Sequence, residues 1–219
     1  MLHIPDVLNH ELVGTIRDWL NQTNWIDGQR IAAWQEKSVK HNEDAPPDDP
    51  RVIEMRDLVR AALMRSSAFV TAARPKAFIG PGFIRYAEGK FFGNHVDDPI
   101  MGGIRTDLSV TIFLTPPESY EGGNMVIETA SGEESVRLPA GHAVVYPSTS
   151  LHRVEPVTAG SRLVAAAWVR SFIRDAGQRE ILLDLDVARQ SLFRKHGPGR
   201  ELDLVAKAMA NLIRQWAED

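Results

Sequence analysis

From Phe78 onward the apolar residues recur with a period of two, and they do so for roughly a hundred residues before helical spacing returns. Leu108, Val110, Ile112 and Leu114 alternate with Asp107, Ser109, Thr111 and Phe113. Gly89, Gly122-Gly123, Ser131-Gly132, Pro139-Ala140-Gly141 and Gly160 punctuate the pattern where hairpins need turn residues. A chain written this way must form short antiparallel strands with one greasy face to cover and one mixed face that suits a polar pocket. In the last strand Arg162, Val164, Ala166 and Trp168 share one face, and Leu163, Ala165, Ala167 and Val169 the other.

The flanks have a different period. Asn9 can cap a helix carrying Leu12, Val13, Ile16, Trp19 and Leu20. Asp49-Pro50 starts a second helix through Val52, Met55, Val59, Ala62 and Leu63. Between them, Asn24 to Asp49 reads as irregular chain near a pocket mouth, with Gly28 to Asp49 a candidate lid and a short strand expected near Ile31 to Trp34. After Arg174 two helical stripes follow, Ile181, Leu182, Leu185, Ala188 and Leu192, then Leu202, Val205, Met209, Leu212 and Trp216, parted by His196-Gly197-Pro198-Gly199. The expected organisation is a main unit over 1–174, its β core about 78–174, and a C-terminal helical hairpin over 175–219. The hairpin's apolar stripes call for a partner surface, so a homodimer through it is expected.

Composition narrows the class. With 219 residues and 43% hydrophobic content the chain can bury one sizeable core. A net charge of −4 with dispersed Lys and Arg gives no footprint for nucleic acid. Without cysteine, any metal must be held by histidine and carboxylate. No signal-like or membrane-length apolar run is present, so a cytoplasmic protein is the default expectation.

One group of residues stands out as chemistry. His95 and Asp97, at i and i+2, point to one side of a strand, and His152 supplies a second imidazole much later. Two His and one carboxylate form the ligand set of a non-haem Fe(II) centre with open coordination positions. Arg162 adds a cation able to pair bidentately with a carboxylate of a co-substrate. Together these are the parts of a 2-oxoglutarate-dependent oxygenase. A non-catalytic cupin-like metal or ligand sensor is the alternative, although a sensor has no need of Arg162. Cupin dioxygenases are a third reading, disfavoured because they more often use three His and a Glu. Asp98-Pro99 reads as a turn, Gly122-Gly123 as a hairpin device, and His3, His10, His41, His142 and His196 as surface or turn residues.

A larger set of motifs carries a family resemblance. Arg85-Tyr86 with Gly89, Phe92 to Asp97, Arg105-Thr106-Asp107-Leu108-Ser109, Tyr120 to Gly123, Leu138 to Gly141, Val145 to Ser148, Leu151 to Val154, Arg162, Arg174-Asp175 and Gln178-Arg179 resemble the bacterial PKHD-type hydroxylases. These are relatives of prolyl and lysyl hydroxylases among the Fe(II)/2-oxoglutarate dioxygenases. The resemblance implies a double-stranded β-helix of jelly-roll or cupin-like form, with His95, Asp97 and His152 as iron ligands. It further implies that Arg162 holds the 2-oxoglutarate carboxylate and that Tyr86 and Trp168 line the co-substrate pocket. O₂ would be the oxidant, succinate and CO₂ the co-products, a peptidyl, amino-acid or other small molecule the substrate, and ascorbate a possible reductant of oxidised iron. The chain departs from the family at His142, which follows the Leu-Pro-Ala-Gly run, and over Ala33 to Asp44.

Overall fold

The computed structural model describes residues 1–30 and 36–218, and the strand expected near Ile31 to Trp34 lies outside the described residues. The elements run β1 (Leu2–Ile4), α1 (His10–Leu20), β2 (Ile26–Asp27), β3 (Lys40–His41), β4 (Glu43–Asp44), α2 (Pro50–Arg65), α3 (Ser67–Ala73), β5 (Pro75–Ala87) and β6 (Phe91–His95). There follow β7 (Ile100–Met101), β8 (Ile104–Arg105), β9 (Leu108–Phe113), β10 (Tyr120–Gly122), β11 (Met125–Thr129), β12 (Gly132–Val136), β13 (Ala143–Pro147), β14 (His152–Val154), β15 (Val157–Ser171), α4 (Ala176–His196) and α5 (Arg200–Trp216).

The strands form a major sheet in the order β1-β13-β9-β15-β5-β4-β2, with β10 added to β15, and a minor sheet in the order β12-β11-β14-β6-β3. All pairings are antiparallel. The two sheets enclose a pocket, as a double-stranded β-helix does. Alternation on β15 decides what goes where. Leu163, Ala165, Ala167 and Val169 join Phe83, Leu108, Ile112 and Val145 in the largest apolar cluster, on the outer face of the major sheet, while Arg162, Val164, Ala166 and Trp168 line the interior cavity.

The N-terminal helices cover that outer face. Asn9 caps α1 by accepting from Leu12 N at 2.8 Å, and Asp49 caps α2 by accepting from Arg51 N at 2.8 Å, each satisfying an N–H that has no partner within the helix. Val13, Ile16 and Leu20 from α1 and Val52, Met55, Val59 and Leu63 from α2 are buried against the sheet. Each such side chain contributes about 1.5–3 kcal/mol on leaving water. A third short helix, α3, was not foreseen, because Ser66 breaks the run with an extended backbone and caps the new helix through its own hydroxyl, without a proline or glycine to announce it.

Other boundaries also moved. The β core begins with β5 at Pro75 rather than at Phe78. The strand after the Ser131-Gly132 turn, β12, starts at Gly132 itself and ends at Val136. Among its described residues, the stretch read as irregular chain holds three strands of two residues each, β2, β3 and β4, too short to show a period. Lys40 pairs with Phe92 at the edge of the minor sheet and Asp44 with Ile84 in the major one, where β4 lies between β5 and the edge strand β2, so residues 40–44 strap the two sheets together. At the other end α4 and α5 pack together as the expected hairpin, though Ile181 and Ala188 face outward. Among the described residues no helix is long and apolar enough to cross a membrane.

Candidate metal centre and co-substrate pocket

Strand register builds the ligand set. His95 ends β6 and lies opposite His152, the first residue of β14, so two imidazoles far apart in sequence meet across one antiparallel pair. The strand stops at His95, and Asp97 follows just past it, still turned to the same side. One ligand atom from each of His95, Asp97 and His152 can be chosen so that all lie within 4.8 Å of one another. Asp97 and His152 are 7% and 5% exposed, and His152 Nε2 stands 3.9 Å from Asp97 Oδ2.

Each imidazole is fixed in the tautomer a metal requires. His95 Nδ1 donates to the Gly93 carbonyl at 2.8 Å, and His152 Nδ1 donates to the Ser150 carbonyl at 3.1 Å. Carbonyls only accept, so the proton sits on Nδ1 and the Nε2 lone pair is free. Phe92 stacks on His95 with centroids 3.6 Å apart and planes 8° apart, and Tyr146 meets His152 edge-on at 5.0 Å. Burial, with the neighbouring His152, lowers the His95 pKa to about 4, which keeps the ring neutral at ordinary pH. The donor set, its tautomers and its closeness all fit a divalent iron with open positions.

The same cavity, of about 480 Å³, takes in all six residues singled out from the sequence: Tyr86, His95, Asp97, His152, Arg162 and Trp168. Arg162 is 1% exposed, and among the described residues none of its three guanidinium nitrogens has a hydrogen-bond partner. Tyr86 and Phe113 flank it, with ring centroids 5.3 and 5.1 Å from its central carbon. Burial lowers its pKa, while the Tyr86 and Tyr120 phenols beside it favour the cation. Tyr120 is itself buried with an unpartnered hydroxyl. A buried cation without hydrogen bonds is expensive unless an anion arrives to meet it. A dicarboxylate such as 2-oxoglutarate fits that demand.

Several residues escaped the sequence reading. Gly123 is more than a turn residue: a Cβ there would meet Val157 Cγ2 at 2.8 Å and Arg162 Cδ at 3.3 Å, so the glycine makes room for the arginine stem. Lys40 and Asp44 line the cavity as a buried ion pair at 3.3 Å, and Asn42 Nδ2 donates to the same Asp44 oxygen at 3.1 Å. Desolvation raises the Asp44 pKa, with Lys40 opposing. Asp98, read as a turn residue, also lines the cavity. His142 is not merely a surface residue, since its Nδ1 lies 2.9 Å from His3 Nε2 and the rings stack. Ser109 was the one legible signal, because it sat on the mixed face of the β9 alternation; it proves to touch Asp97.

Comparison with known proteins agrees with this geometry. Residues 81–170 match the 2OG-Fe(II) oxygenase superfamily and residues 176–218 the PKHD-type hydroxylase C-terminal domain. A PKHD-type hydroxylase from Picosynechococcus sp. is 47% identical over 98% of both chains, and one from Maricaulis maris is 45% identical over the full length of both. Among solved structures, a Pseudomonas putida prolyl-4-hydroxylase shares the fold at 21% identity and a TM-score of 0.54, covering 78% of this chain and 91% of its own. With identity above two-fifths over the whole length and the His-x-Asp and distal His in place, the chain belongs to the PKHD-type hydroxylase family of Fe(II)- and 2-oxoglutarate-dependent oxygenases.

Proposed function

We propose that the protein hydroxylates a C–H bond of a peptidyl, amino-acid or other small-molecule substrate, with His95, Asp97 and His152 as the iron ligands and Arg162 as the anchor of 2-oxoglutarate. The observation that carries the reading is the Arg162 guanidinium, buried without a hydrogen-bond partner among the described residues, in the cavity that also presents the three ligands. A metal sensor has no use for such a cation. Bound iron and 2-oxoglutarate supply the oxidising chemistry, in which O₂ is consumed, the co-substrate becomes succinate and CO₂, and one oxygen atom enters the substrate.

The residues do the rest. His95 and His152 would each present the Nε2 opposite an Nδ1 that donates to a backbone carbonyl, and Asp97 would fill the position that an open site would leave to halide, which favours hydroxylation over halogenation. Arg162 meets the distal carboxylate of the co-substrate and fixes its orientation. Tyr86 and Trp168 wall the pocket. The aliphatic residues Ile84, Val154 and Val164 line the same cavity and exclude water from it. Ile100 and Met101 line the same cavity as the Lys40–Asp44 ion pair, so the cavity suits a substrate with both apolar and polar parts.

The test is an anaerobic titration of metal-free protein with Fe(II) and then 2-oxoglutarate, followed by the visible metal-to-ligand charge-transfer absorption and repeated with His95→Ala. A band that needs both additions and vanishes in the variant supports the reading. Iron binding with no band on adding 2-oxoglutarate overturns it.

A further inference from the structure

Two of the motifs that mark the family, Arg105 to Ser109 and Val145 to Ser148, include no iron ligand, and the C-terminal helices lie outside the β core. The hydrogen bonds join all three. Ser109 Oγ donates to Asp97 Oδ2, and Ser148 Oγ lies 2.9 Å from Ser109 Oγ; both serines are buried, at 2% and 3% exposure. Asp97 as a ligand is ionised and can only accept, so the Ser109 proton is committed to it. Ser109 must then accept from Ser148, and the order of donation is fixed: Ser148 to Ser109 to Asp97.

The serine pair stands on Asp107. Ser148 N donates to the Asp107 carbonyl at 3.2 Å, and Asp107 is held in turn by Arg105 through Nε at 2.7 Å and Nη2 at 3.1 Å, and by Ser171 N at 2.9 Å. The remaining arm of Arg105, Nη1, donates to Glu218 Oε2 at 2.8 Å. Glu218 follows α5 and is pinned to the end of β15: its N–H donates to Phe172 O at 2.9 Å, its carbonyl accepts from Lys76 Nζ at 3.3 Å, and the preceding Ala217 pairs with Ile173. Arg105 also ends the β7–β8 hairpin, whose Ile100, Met101 and Gly102 line the cavity mouth.

We propose that this relay makes the C-terminal helical unit a positioning element of the active site, in which Ser109 and Ser148 hold the carboxylate of Asp97 in one orientation and Glu218, through Arg105 and Asp107, fixes the frame beneath them and the mouth hairpin. The proposal rests on the reading of Asp97 as an iron ligand. A carboxylate ligated through one oxygen can swing about its side chain, and a donor on Oδ2 removes that freedom before the metal arrives. Partners that orient a ligand in this way typically change metal affinity or activity by about 10–100-fold when lost. None of the four residues Ser109, Ser148, Arg105 and Glu218 is placed on the metal itself.

The experiment measures the dissociation constant of Mn(II), a redox-inert probe, for the full-length wild type, Ser109→Ala, Ser109→Thr and Glu218→Ala, alongside the melting temperature of each metal-free protein. The expected result is about tenfold or greater weakening in Ser109→Ala, recovery in Ser109→Thr, which restores the hydroxyl, and a severalfold weakening in Glu218→Ala, with little change in metal-free melting. Wild-type affinity in Ser109→Ala or in Glu218→Ala overturns the proposal, as does weakening matched by an equal loss of metal-free stability that Ser109→Thr does not reverse. If the wild type itself binds no Mn(II) while His95→Ala behaves identically, the ligand reading has failed rather than the relay.

Discussion

His95 and His152 are register partners across β6 and β14, with ring centroids 4.1 Å apart, so strand pairing brings the two imidazoles together while Asp97 joins them from just past the end of β6. Their Nδ1 protons are committed to backbone carbonyls, which leaves both Nε2 atoms available without rearrangement. Replacing either histidine by alanine is expected to abolish the upward shift in melting temperature that Mn(II) gives the wild type, since ligand binding stabilises only in proportion to affinity. A full shift in His152→Ala would remove it from the ligand set.

Arg162 is expected to act on the co-substrate and not on the metal. Arg162→Ala should weaken 2-oxoglutarate binding by about 2–5 kcal/mol, the usual effect of truncating one partner of a buried charge pair, while Mn(II) affinity stays near wild type. Comparison with 2-oxobutyrate, which lacks the distal carboxylate, sharpens the test. The wild type should prefer 2-oxoglutarate strongly, and the variant should bind the two alike.

Gly123 sits at φ +63 with the Arg162 stem beside it. A side chain there is strained by the backbone and collides with Val157, so Gly123→Ala is expected to lower stability by about 1–3 kcal/mol and to weaken 2-oxoglutarate binding through displacement of Arg162. Chemical denaturation and a co-substrate titration check the two effects separately. Tyr120→Phe is the milder counterpart, removing only the hydroxyl beside the guanidinium.

The Lys40 and Asp44 pair is predicted to obey the asymmetry of buried charges. Lys40→Met leaves Asp44 buried without its cation and should destabilise by about 3–5 kcal/mol, whereas Lys40→Met combined with Asp44→Leu should recover most of that. Denaturant midpoints for the two single variants and the double one settle the matter. Additive losses would show that the pair contributes no coupling.

The pKa of His95 sets a pH dependence for the metal-free protein. Its folded pKa of about 4 lies below the ordinary value of 6.5, so the folded state binds fewer protons than the unfolded one between these values. This contribution to stability is therefore full above about pH 6.5 and lost as pH falls toward 4. Asp44 is shifted upward and acts with the opposite sign, so the measurement is the difference between wild type and His95→Ala across this range. A difference that does not vary with pH would contradict the burial of a neutral imidazole.

Some of this molecule was legible in its residues. The period-two alternation placed Arg162 and Trp168 on the inner face of β15 and Leu163, Ala165 and Val169 on the outer one, because a strand offers its side chains only two directions. Helix caps at Asn9 and Asp49 were readable because capping is a local exchange of hydrogen bonds. The strap over residues 40–44 was not, since pairs of residues carry no period and their pairing partners, Phe92 and Ile84, are distant in sequence.

What the sequence alone determined is the chemistry on offer: two imidazoles, one carboxylate and one arginine, spaced so that strands could carry them to a shared face, together with motifs specific enough to name a family. What only the tertiary structure decided is how those groups are held. Register put His152 opposite His95, burial left Arg162 without a hydrogen bond, and packing brought Lys40 beside Asp44 in the cavity and Glu218 to the far side of Arg105. The reason is physical. Residue types and periods specify direction and chemistry locally, whereas proximity between distant residues is set by the pairing and packing of whole sheets, which no short stretch encodes.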